Sequence, residues 1–239
     1  MERLVGRADA ITVASRFLEA RFGGLLITHV RDTDAWDPAR YDPAWARRAL
    51  GIERQRLVMF LGTPRGHKGL DDLVEAVARL GGDVVLALVG ADPASPAVRR
   101  WAARSHVRTV PEIPFDDVPR YLVAADVVAV PQRRTSDTVG QVPAKLIDAM
   151  ALARPIVSTV VSMIPEILQD CGRVVEPGDV AALAAAIRDL LGHPAHAAAL
   201  GAAARRRCAE RYSFRSARAA LFPLIERLAS RPASRPPVE

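Results

Sequence analysis

Residues 57–70 decide the fold, and they read Leu-Val-Met-Phe-Leu-Gly-Thr-Pro-Arg-Gly-His-Lys-Gly-Leu. A short apolar run enters a glycine-containing loop and then an amphipathic stretch, which is the pattern of a strand followed by a helix. The same alternation continues to Pro194. The apolar runs lack the polar positions that a half-exposed strand would show, so the strands should be buried on both faces. We therefore predict an α/β fold with a doubly wound parallel sheet.

The pattern also divides the chain. Strands are predicted at 57–61, 84–89, 107–110, 127–130, 156–159 and 173–175, and helices at 70–80, 97–103, 118–124, 144–153, 164–169 and 180–191. Two extra C-terminal helices, 195–211 and 214–230, precede a proline-rich segment at 231–239 that is predicted to be a disordered tail. Residues 1–30 form a small piece with predicted strands at 10–14 and 25–30 around a helix at 16–22. Residues 31–45, with two prolines, are predicted to be a linker that leads through a helix at 44–50 into a domain spanning 46–230.

Composition points to a folded globular protein. The chain has 239 residues, of which 50% are hydrophobic and 25% charged. The two cysteines, Cys171 and Cys208, are too few for a disulfide framework and have no metal-ligand spacing, so we predict no metal site and a cytoplasmic location. No apolar run approaches the roughly 18 residues of a membrane span, and Met1-Glu-Arg-Leu does not begin like a signal peptide.

The net charge of +6 raises the question of an anionic partner. Much of the excess is arginine in the final third, with few aromatic residues between for base stacking, so nucleic acid is not predicted as a partner. Two interpretations stay open. The arginines form a solvated helix face, or they form a basic surface that rests against anionic lipid and makes the protein peripheral at the inner membrane surface.

The first loop-to-helix junction follows the strand at 57–61 and contains Lys68, one of only two lysines in the chain. Ligands of open α/β sheets bind at the carboxyl ends of strands, where helix N-termini present free amides. Gly62 and Gly66 permit close approach of the backbone, and Lys68 and Arg65 would supply charge for a diphosphate. The loop is not a Walker loop, because it lacks the Gly-Lys-Ser/Thr ending. The alternative is that it is only a turn.

The second junction is the long polar loop at 131–143, which leads into a predicted helix carrying the other lysine, Lys145. Loops of this length in a compact domain are usually functional. Pro143 suits the first turn of the helix, and Lys145 and Asp148 are three residues apart on one helix face. Together they could hold a phosphate and a ribose diol, since a carboxylate accepts two hydroxyl hydrogen bonds. The alternative is an exposed surface ion pair.

The motifs occur in a specific order. Lys68-Gly69 is followed by Ala-Asp-Val-Val-Ala-Val-Pro at 125–131, by Pro-Ala-Lys-Leu-Ile-Asp-Ala-Met-Ala-Leu-Ala-Arg-Pro-Ile-Val at 143–157, by Pro-Glu-Ile-Leu at 165–168 and by Gly-Arg-Val-Val-Glu-Pro-Gly-Asp at 172–179. This set, over roughly residues 4–229, resembles the retaining glycosyltransferase family 4. The resemblance implies the Rossmann-like C-terminal half of a GT-B glycosyltransferase, preceded by a remnant of the N-terminal acceptor domain at residues 1–30.

The same resemblance implies an activity, which is transfer of a sugar from a nucleotide diphosphate sugar, UDP- or GDP-linked, to a hydroxyl acceptor with retention. It implies no metal and no cofactor beyond this substrate. Lys68 would contact the distal phosphate, with Arg65 as a second stabilising cation, and Asp148 would bind the ribose. The backbone at Ile113 would meet the base. The other residues implied at the donor site are Gly62, Thr63, Lys145 and Leu146.

Three departures from the family pattern open alternatives. Thr63 stands where many members have arginine, and the usual pair of glutamates becomes Gly140 and Asp148. Most of the N-terminal domain is missing, and His29 does not match the family's histidine. We therefore expect donor binding with poor turnover unless a separate N-terminal-half polypeptide is present. The alternatives are a non-catalytic partner or activator subunit and, with less support from the motifs, half of a sugar-nucleotide epimerase.

Overall fold

The computed structural model describes residues 2–230, so the predicted tail at 231–239 lies outside the described residues. The strands are β1 (Thr12–Val13), β2 (Leu25–Leu26), β3 (Arg56–Leu61), β4 (Val84–Val89), β5 (Val107–Val110), β6 (Val127–Val130), β7 (Ile156–Thr159) and β8 (Arg173–Val175). The α-helices are α1 (Arg16–Phe22), α2 (Pro43–Ala49), α3 (Leu70–Ala78), α4 (Pro96–Ala102), α5 (Val118–Leu122), α6 (Ala144–Ala151), α7 (Ile164–Leu168), α8 (Val180–Gly192), α9 (Pro194–Arg211) and α10 (Phe214–Ala229).

Strands β3 to β8 form one parallel sheet in the order β5-β4-β3-β6-β7-β8. The chain builds outward from β3 to β5 and then returns to build outward from β6 to β8. This topology confirms the predicted α/β fold with a doubly wound sheet. The direction reverses between β3 and β6, and in such sheets the ligand crevice lies beyond the carboxyl ends of the two strands at the reversal.

The sheet is buried on both faces because alternate side chains enter different cores. Leu57 and Met59 of β3 pack with residues of α5, α6, α7 and α9. Val58 and Phe60 pack on the opposite face with residues of α3, α4 and α8. All six residues of β4 are buried. The wholly apolar runs in the sequence therefore have the two-sided burial that was predicted from them.

Boundaries in this domain agree with the prediction within two residues, and the differences lie mainly at helix ends. Helix α6 ends at Ala151 rather than at residue 153, where Ala153 has a φ of 54° that an α-helix cannot contain. The strands β1 and β2 are shorter than the predicted 10–14 and 25–30. They pair only with each other among residues 2–230, over two residues each, so there is no neighbouring strand to extend them.

Residues 31–45, the predicted linker, are called the connection segment below, and they are folded against α9. Trp36 is only 7% exposed. The guanidinium of Arg205 on α9 donates to the carbonyl oxygens of Trp36 at 2.9 Å and Thr33 at 3.0 Å. A short 3-10 turn, Pro38–Arg40, is capped by the Asp37 carboxylate. The connection segment therefore has fixed contacts with the domain that it leads into.

Helix α10 is the least embedded element of the C-terminal part. It packs on α9, yet none of its residues is buried. Phe214, Phe222 and Ile225 are 57%, 46% and 54% exposed and recur at helical spacing, so they form one apolar stripe. Among residues 2–230 no helix is long and apolar enough to cross a lipid bilayer.

Candidate functional site

Two loops meet beyond the carboxyl ends of β3 and β6. A Cβ added at Gly69 would collide with the Pro131 carbonyl oxygen, so a glycine, here with a φ of 64°, is required where the loops cross. The Arg133 guanidinium forms two bonds, at 2.9 and 2.6 Å, to the carboxylate of Asp72 in the first turn of α3. Its backbone N–H also donates to the His67 carbonyl oxygen at 2.8 Å. These contacts fix the loop after β6 against the loop after β3.

Lys68 lies at this crossing, as predicted from its place after β3. It is 9% exposed, and its Nζ donates to Gln141 Oε1 of the other loop at 3.0 Å. Burial lowers the pKa of Lys68, and the nearby charge of Arg65 lowers it further. A cation held at the strand ends with one neutral partner can accept an anionic ligand as a second partner.

Lys145 approaches the same point from the first turn of α6. A Cβ at Gly62 would lie 2.5 Å from Lys145 Nζ, so the missing side chain of Gly62 makes room for the ammonium. The Nζ also lies 4.6 Å from the centroid of the Phe60 ring, a cation–π distance. Burial lowers the pKa of Lys145 to about 8, with a smaller effect from Lys68 and an opposing one from Asp148. The two lysines of the chain therefore converge on one crevice.

The N-termini of α3 and α6 face this crevice, since both helices start directly after the two loops. No side chain of the described residues caps either N-terminus, where the cap residues are Gly69 and Pro143. The sequence analysis placed Pro143 in the first turn of α6. In the structure it is the cap residue, one position before that turn. Uncapped backbone amides and the helix dipole favour an anion.

Asp148 is three residues after Lys145 on α6, and it is buried, at 5% exposure. Its Oδ1 lies 2.5 Å from Nε of Arg31 in the connection segment. Burial raises the pKa of Asp148 to about 6, against the opposing charges of Arg31 and, more weakly, Lys145. The alternative of an exposed Lys145–Asp148 surface pair is therefore wrong, because the carboxylate is buried and its ion-pair partner is Arg31.

The remaining predicted residues occupy different positions. Thr63 and Arg65 are exposed on the loop after β3. Ile113 follows β5 and packs, partly buried, against the core. Leu146 is fully buried, so its side chain lies in the core and not at the crevice. Phe115, two residues after Ile113, is 56% exposed, and its ring lies 5.3 Å from Cζ of Arg31.

Residues from the N-terminal piece contact the loop after β6. Ser15 Oγ donates to the Gly140 carbonyl oxygen at 2.8 Å. A Cβ at Gly140 would lie 2.9 Å from the Phe17 ring, so the position of the missing family glutamate is in contact with α1. The His29 side chain is hydrogen-bonded to the Val142 backbone, and burial lowers its pKa. No group of His, Cys, Asp or Glu side chains among residues 2–230 could hold a metal ion.

Comparison with known proteins decides the family. Residues 55–193 match the family described as "Glycosyl transferases group 1". The chain belongs to the group 1 glycosyltransferases. One relative is the GDP-mannose-dependent alpha-(1-6)-phosphatidylinositol monomannoside mannosyltransferase of Mycolicibacterium smegmatis, which is 30% identical over 94% of this chain and 64% of that protein. This group 1 chain therefore spans less than two thirds of that relative.

Solved structures agree on the fold. Sucrose-phosphate synthase from Thermosynechococcus elongatus is 25% identical with a TM-score of 0.79, and the match covers 96% of this chain and 60% of that one. The Anabaena protein Alr3699/HepE in complex with UDP is 20% identical with a TM-score of 0.81, covering 96% and 66% of the two chains. The predicted α/β architecture, that of the Rossmann-like half of a GT-B glycosyltransferase, is confirmed for this group 1 chain. Membership of this family argues against the epimerase alternative.

Sequence reasoning missed the residues that reach this candidate site from other segments. Arg31, Phe17 and His29 come from the N-terminal piece and the connection segment, and Gln141 comes from the second loop. Gln141 follows Gly140 in a loop already predicted to be functional, so its position was a usable signal. The other three give no local signal, because each depends on packing between segments far apart in the sequence.

Proposed function

We propose that this chain is the donor-binding half of a glycosyltransferase that moves a sugar from a nucleoside diphosphate sugar to a hydroxyl acceptor with retention at the anomeric carbon. The observation that carries this proposal is the approach of both lysines to the crevice beyond the carboxyl ends of β3 and β6, where Lys68 Nζ donates to Gln141 and Lys145 Nζ lies beside Gly62. Both ammonium groups and the free N-termini of α3 and α6 point to one diphosphate-sized anion.

The residues support catalysis by stabilising the leaving group. As the bond between the sugar and the diphosphate breaks, negative charge develops on the diphosphate. Lys68 would take this charge at the distal phosphate, and Arg65, three residues earlier in the same loop, would be the second stabilising cation. Lys145 and the first amides of α6 would hold the other phosphate. No metal is assigned a role in this scheme.

The proposed donor is GDP- or UDP-linked. The mannosyltransferase relative is named for GDP-mannose, and the Anabaena structure contains UDP. Asp148 would accept the ribose hydroxyls, and the backbone at Ile113 would meet the base. The half-exposed Phe115 ring beside Ile113 gives an apolar surface for a purine or pyrimidine at that end of the crevice.

Turnover should need an N-terminal half. The chain spans 64% of the mannosyltransferase relative, and its two-stranded β1–β2 sheet is much smaller than a domain sheet. We expect an N-terminal half, on the same or on a separate polypeptide, to bring the acceptor site and to restore activity when it is supplied to this chain. Copurification with a coexpressed N-terminal half of a relative, followed by a sugar-transfer assay, tests this expectation.

Helix α10 is the part of the chain proposed to contact a membrane, at the cytoplasmic surface. Its apolar stripe, Phe214, Phe222 and Ile225, is flanked by arginines, and the guanidinium of Arg218 lies 4.6 Å from the Phe222 ring centroid. Exposed aromatic residues beside arginines suit an anionic lipid surface. Co-sedimentation with vesicles of phosphatidylserine and phosphatidylcholine should exceed that with phosphatidylcholine alone, and equal sedimentation would remove this part of the proposal.

A second candidate is a non-catalytic partner or activator subunit. It is favoured by two observations: Arg31 already occupies one oxygen of Asp148, and Gly140 replaces the first acid of the family pair and packs against Phe17. Such a subunit would fold stably without binding nucleotides. Nucleotide binding therefore separates the two candidates.

The deciding experiment is isothermal titration with GDP, UDP and ADP. We expect binding of GDP or UDP that Lys68→Ala weakens by about 1 to 3 kcal/mol, because a charged hydrogen bond is lost. The control is Arg104→Ala. Arg104 is an exposed cation before the amino end of β5, whereas the crevice lies at the carboxyl ends of the strands, so this change should leave affinity unchanged. If none of the three nucleotides binds, the donor-site proposal is wrong and the non-catalytic candidate is preferred.

A further inference from the structure

The Arg31 side chain is enclosed between Trp36 of the connection segment and Phe115 and Asp148 of the domain that contains β3 to β8. Its Nε lies 2.5 Å from Asp148 Oδ1, and its side chain is 17% exposed against 7% for the carboxylate. The ring centroids of Trp36 and Phe115 lie 5.2 and 5.3 Å from its Cζ, so two aromatic rings hold the cation in place. Its Nη1 also donates to the Val30 carbonyl oxygen at 2.8 Å, so the guanidinium is held on several sides while its Nε lies against the carboxylate.

The backbone of Arg31 is fixed as well. Its N–H donates to the Tyr212 carbonyl oxygen at 2.9 Å, and its carbonyl oxygen accepts from the Phe214 N–H at 3.1 Å. These two bonds form an isolated bridge beside Ser213, at the turn between α9 and α10. Because both the backbone and the side chain are fixed, Arg31 is a preformed partner for Asp148.

Three other groups act on or near the Asp148 carboxylate. Lys145 on the same helix favours its ionised form, though less than Arg31 does. The carboxylate acts electrostatically on the Cys208 thiol of α9, and burial raises the pKa of that thiol to about 12, so it is neutral. Arg205 acts on Cys208 rather than on the carboxylate. Arg31 is therefore the main charge that opposes the effect of burial on Asp148.

We propose that Arg31 is a positioning residue of the nucleotide site, which holds Oδ1 of Asp148 so that Oδ2 accepts the ribose hydroxyls of the donor. This inference rests on the proposed function and deepens it. It assigns part of the donor site to the connection segment, outside the sheet domain. Donor affinity should then depend on a residue that does not itself touch the diphosphate.

The expected signature is a pH profile of affinity. In the wild-type chain, affinity for a nucleotide sugar should fall as the pH drops below about 6, where Asp148 becomes protonated. Arg31→Ala removes the opposing cation and raises the pKa of Asp148 further, so the fall should begin closer to neutral pH. Each unit of that displacement weakens binding at lower pH by about tenfold.

The measurement is isothermal titration with GDP-mannose and UDP-glucose between pH 5 and pH 7.5. A nucleotide sugar is used because its doubly esterified diphosphate has no proton to titrate in this range, unlike GDP or UDP. Arg31→Lys keeps a cation near Asp148 and should restore the wild-type midpoint, with somewhat weaker binding. It also keeps the test usable if Arg31→Ala folds poorly. Asp148→Asn should give weak affinity that no longer varies with pH.

Arg205→Ala is the matched structural control. It loosens the same segment at Thr33 and Trp36 without contacting Asp148, so it should lower the melting temperature and leave the pH midpoint in place. An Arg31→Ala midpoint equal to the wild-type midpoint would overturn the inference while leaving the donor site intact. If the wild-type chain binds neither nucleotide sugar, the proposed function itself fails, and the inference fails with it.

Discussion

At the scale of single residues, a substitution at Gly62 should affect both the stability of the fold and nucleotide binding in the crevice, and the two effects can be measured separately. The φ of Gly62 is 125°, and a Cβ there would meet Lys145 Nζ. We predict that Gly62→Ala destabilises the fold by about 1 to 3 kcal/mol through backbone strain and also displaces Lys145 and weakens nucleotide binding. Urea denaturation and isothermal titration measure the two effects separately.

Gly178 supplies the control for this substitution. It has a φ of 85°, and a Cβ there would have no atom within 4 Å. Gly178→Ala should therefore lose a similar amount of stability with unchanged nucleotide affinity. If Gly62→Ala binds GDP or UDP as well as Gly178→Ala does, the crevice is not where the diphosphate lies.

Lys145 gives a second prediction at this scale, in the pH dependence of stability. Its pKa is about 8 in the folded chain against an ordinary value near 10.5, so between these values the unfolded chain binds more protons. Stability should therefore rise with pH over this window, and Lys145→Met should reduce that rise. Thermal unfolding at pH 7.5, 8.5 and 9.5 checks the sign, and identical slopes for both proteins would contradict it.

At the scale of elements, Arg133 and Asp72 link the loop after β6 to α3 through two hydrogen bonds. We predict that Asp72→Asn weakens nucleotide binding several-fold, because the two loops that carry Lys68 and Gln141 lose a shared anchor. The direct effect on stability should be about 1 kcal/mol or less, since the Arg133 side chain is half exposed. Nucleotide titration and hydrogen exchange of residues 131–142 measure this.

The adjacent residue of the same helix is the matched control. Asp71 bonds to Trp101 and Arg100 on α4, and it does not join the two loops. Asp71→Asn should change stability without changing nucleotide affinity. Equal losses of affinity in both variants would show that α3 as a whole, rather than the link between the loops, supports the site.

The sheet and its helices could be predicted because their signals are local. Burial of β4 on both faces requires an unbroken apolar run, and the sequence from Val84 to Val89 shows one. The positions of Lys68 and Lys145 followed from strand-to-helix junctions in the same way. The Arg31–Asp148 pair could not be predicted, because it depends on how the connection segment folds back onto α6. Neither residue is preceded by a pattern that identifies its partner.

At the scale of the whole molecule, the C-terminal helices should differ in what they contribute to stability. The side chains of Ala204 and Cys208 on α9 are fully buried in the same core as Met59 of the sheet. Helix α10 has no buried residue and packs on α9 through half-buried positions. A truncation after Ser213 should therefore remain folded, with a loss of about 1 to 2 kcal/mol from the exposed apolar contacts.

A longer truncation, after His193, removes α9 as well and opens the core on that face. This chain should have no cooperative folded state at room temperature, so its melting curve should lack a sharp transition. The two truncations can be compared by circular dichroism melting. Vesicle binding is measured on the chain that ends at Ser213. The chain truncated after Ser213 should keep its nucleotide affinity unless the bond between Phe214 and Arg31 is what fixes the connection segment. A large loss of nucleotide affinity would therefore assign α10 to the donor site, and loss of vesicle binding alone would assign it to the membrane.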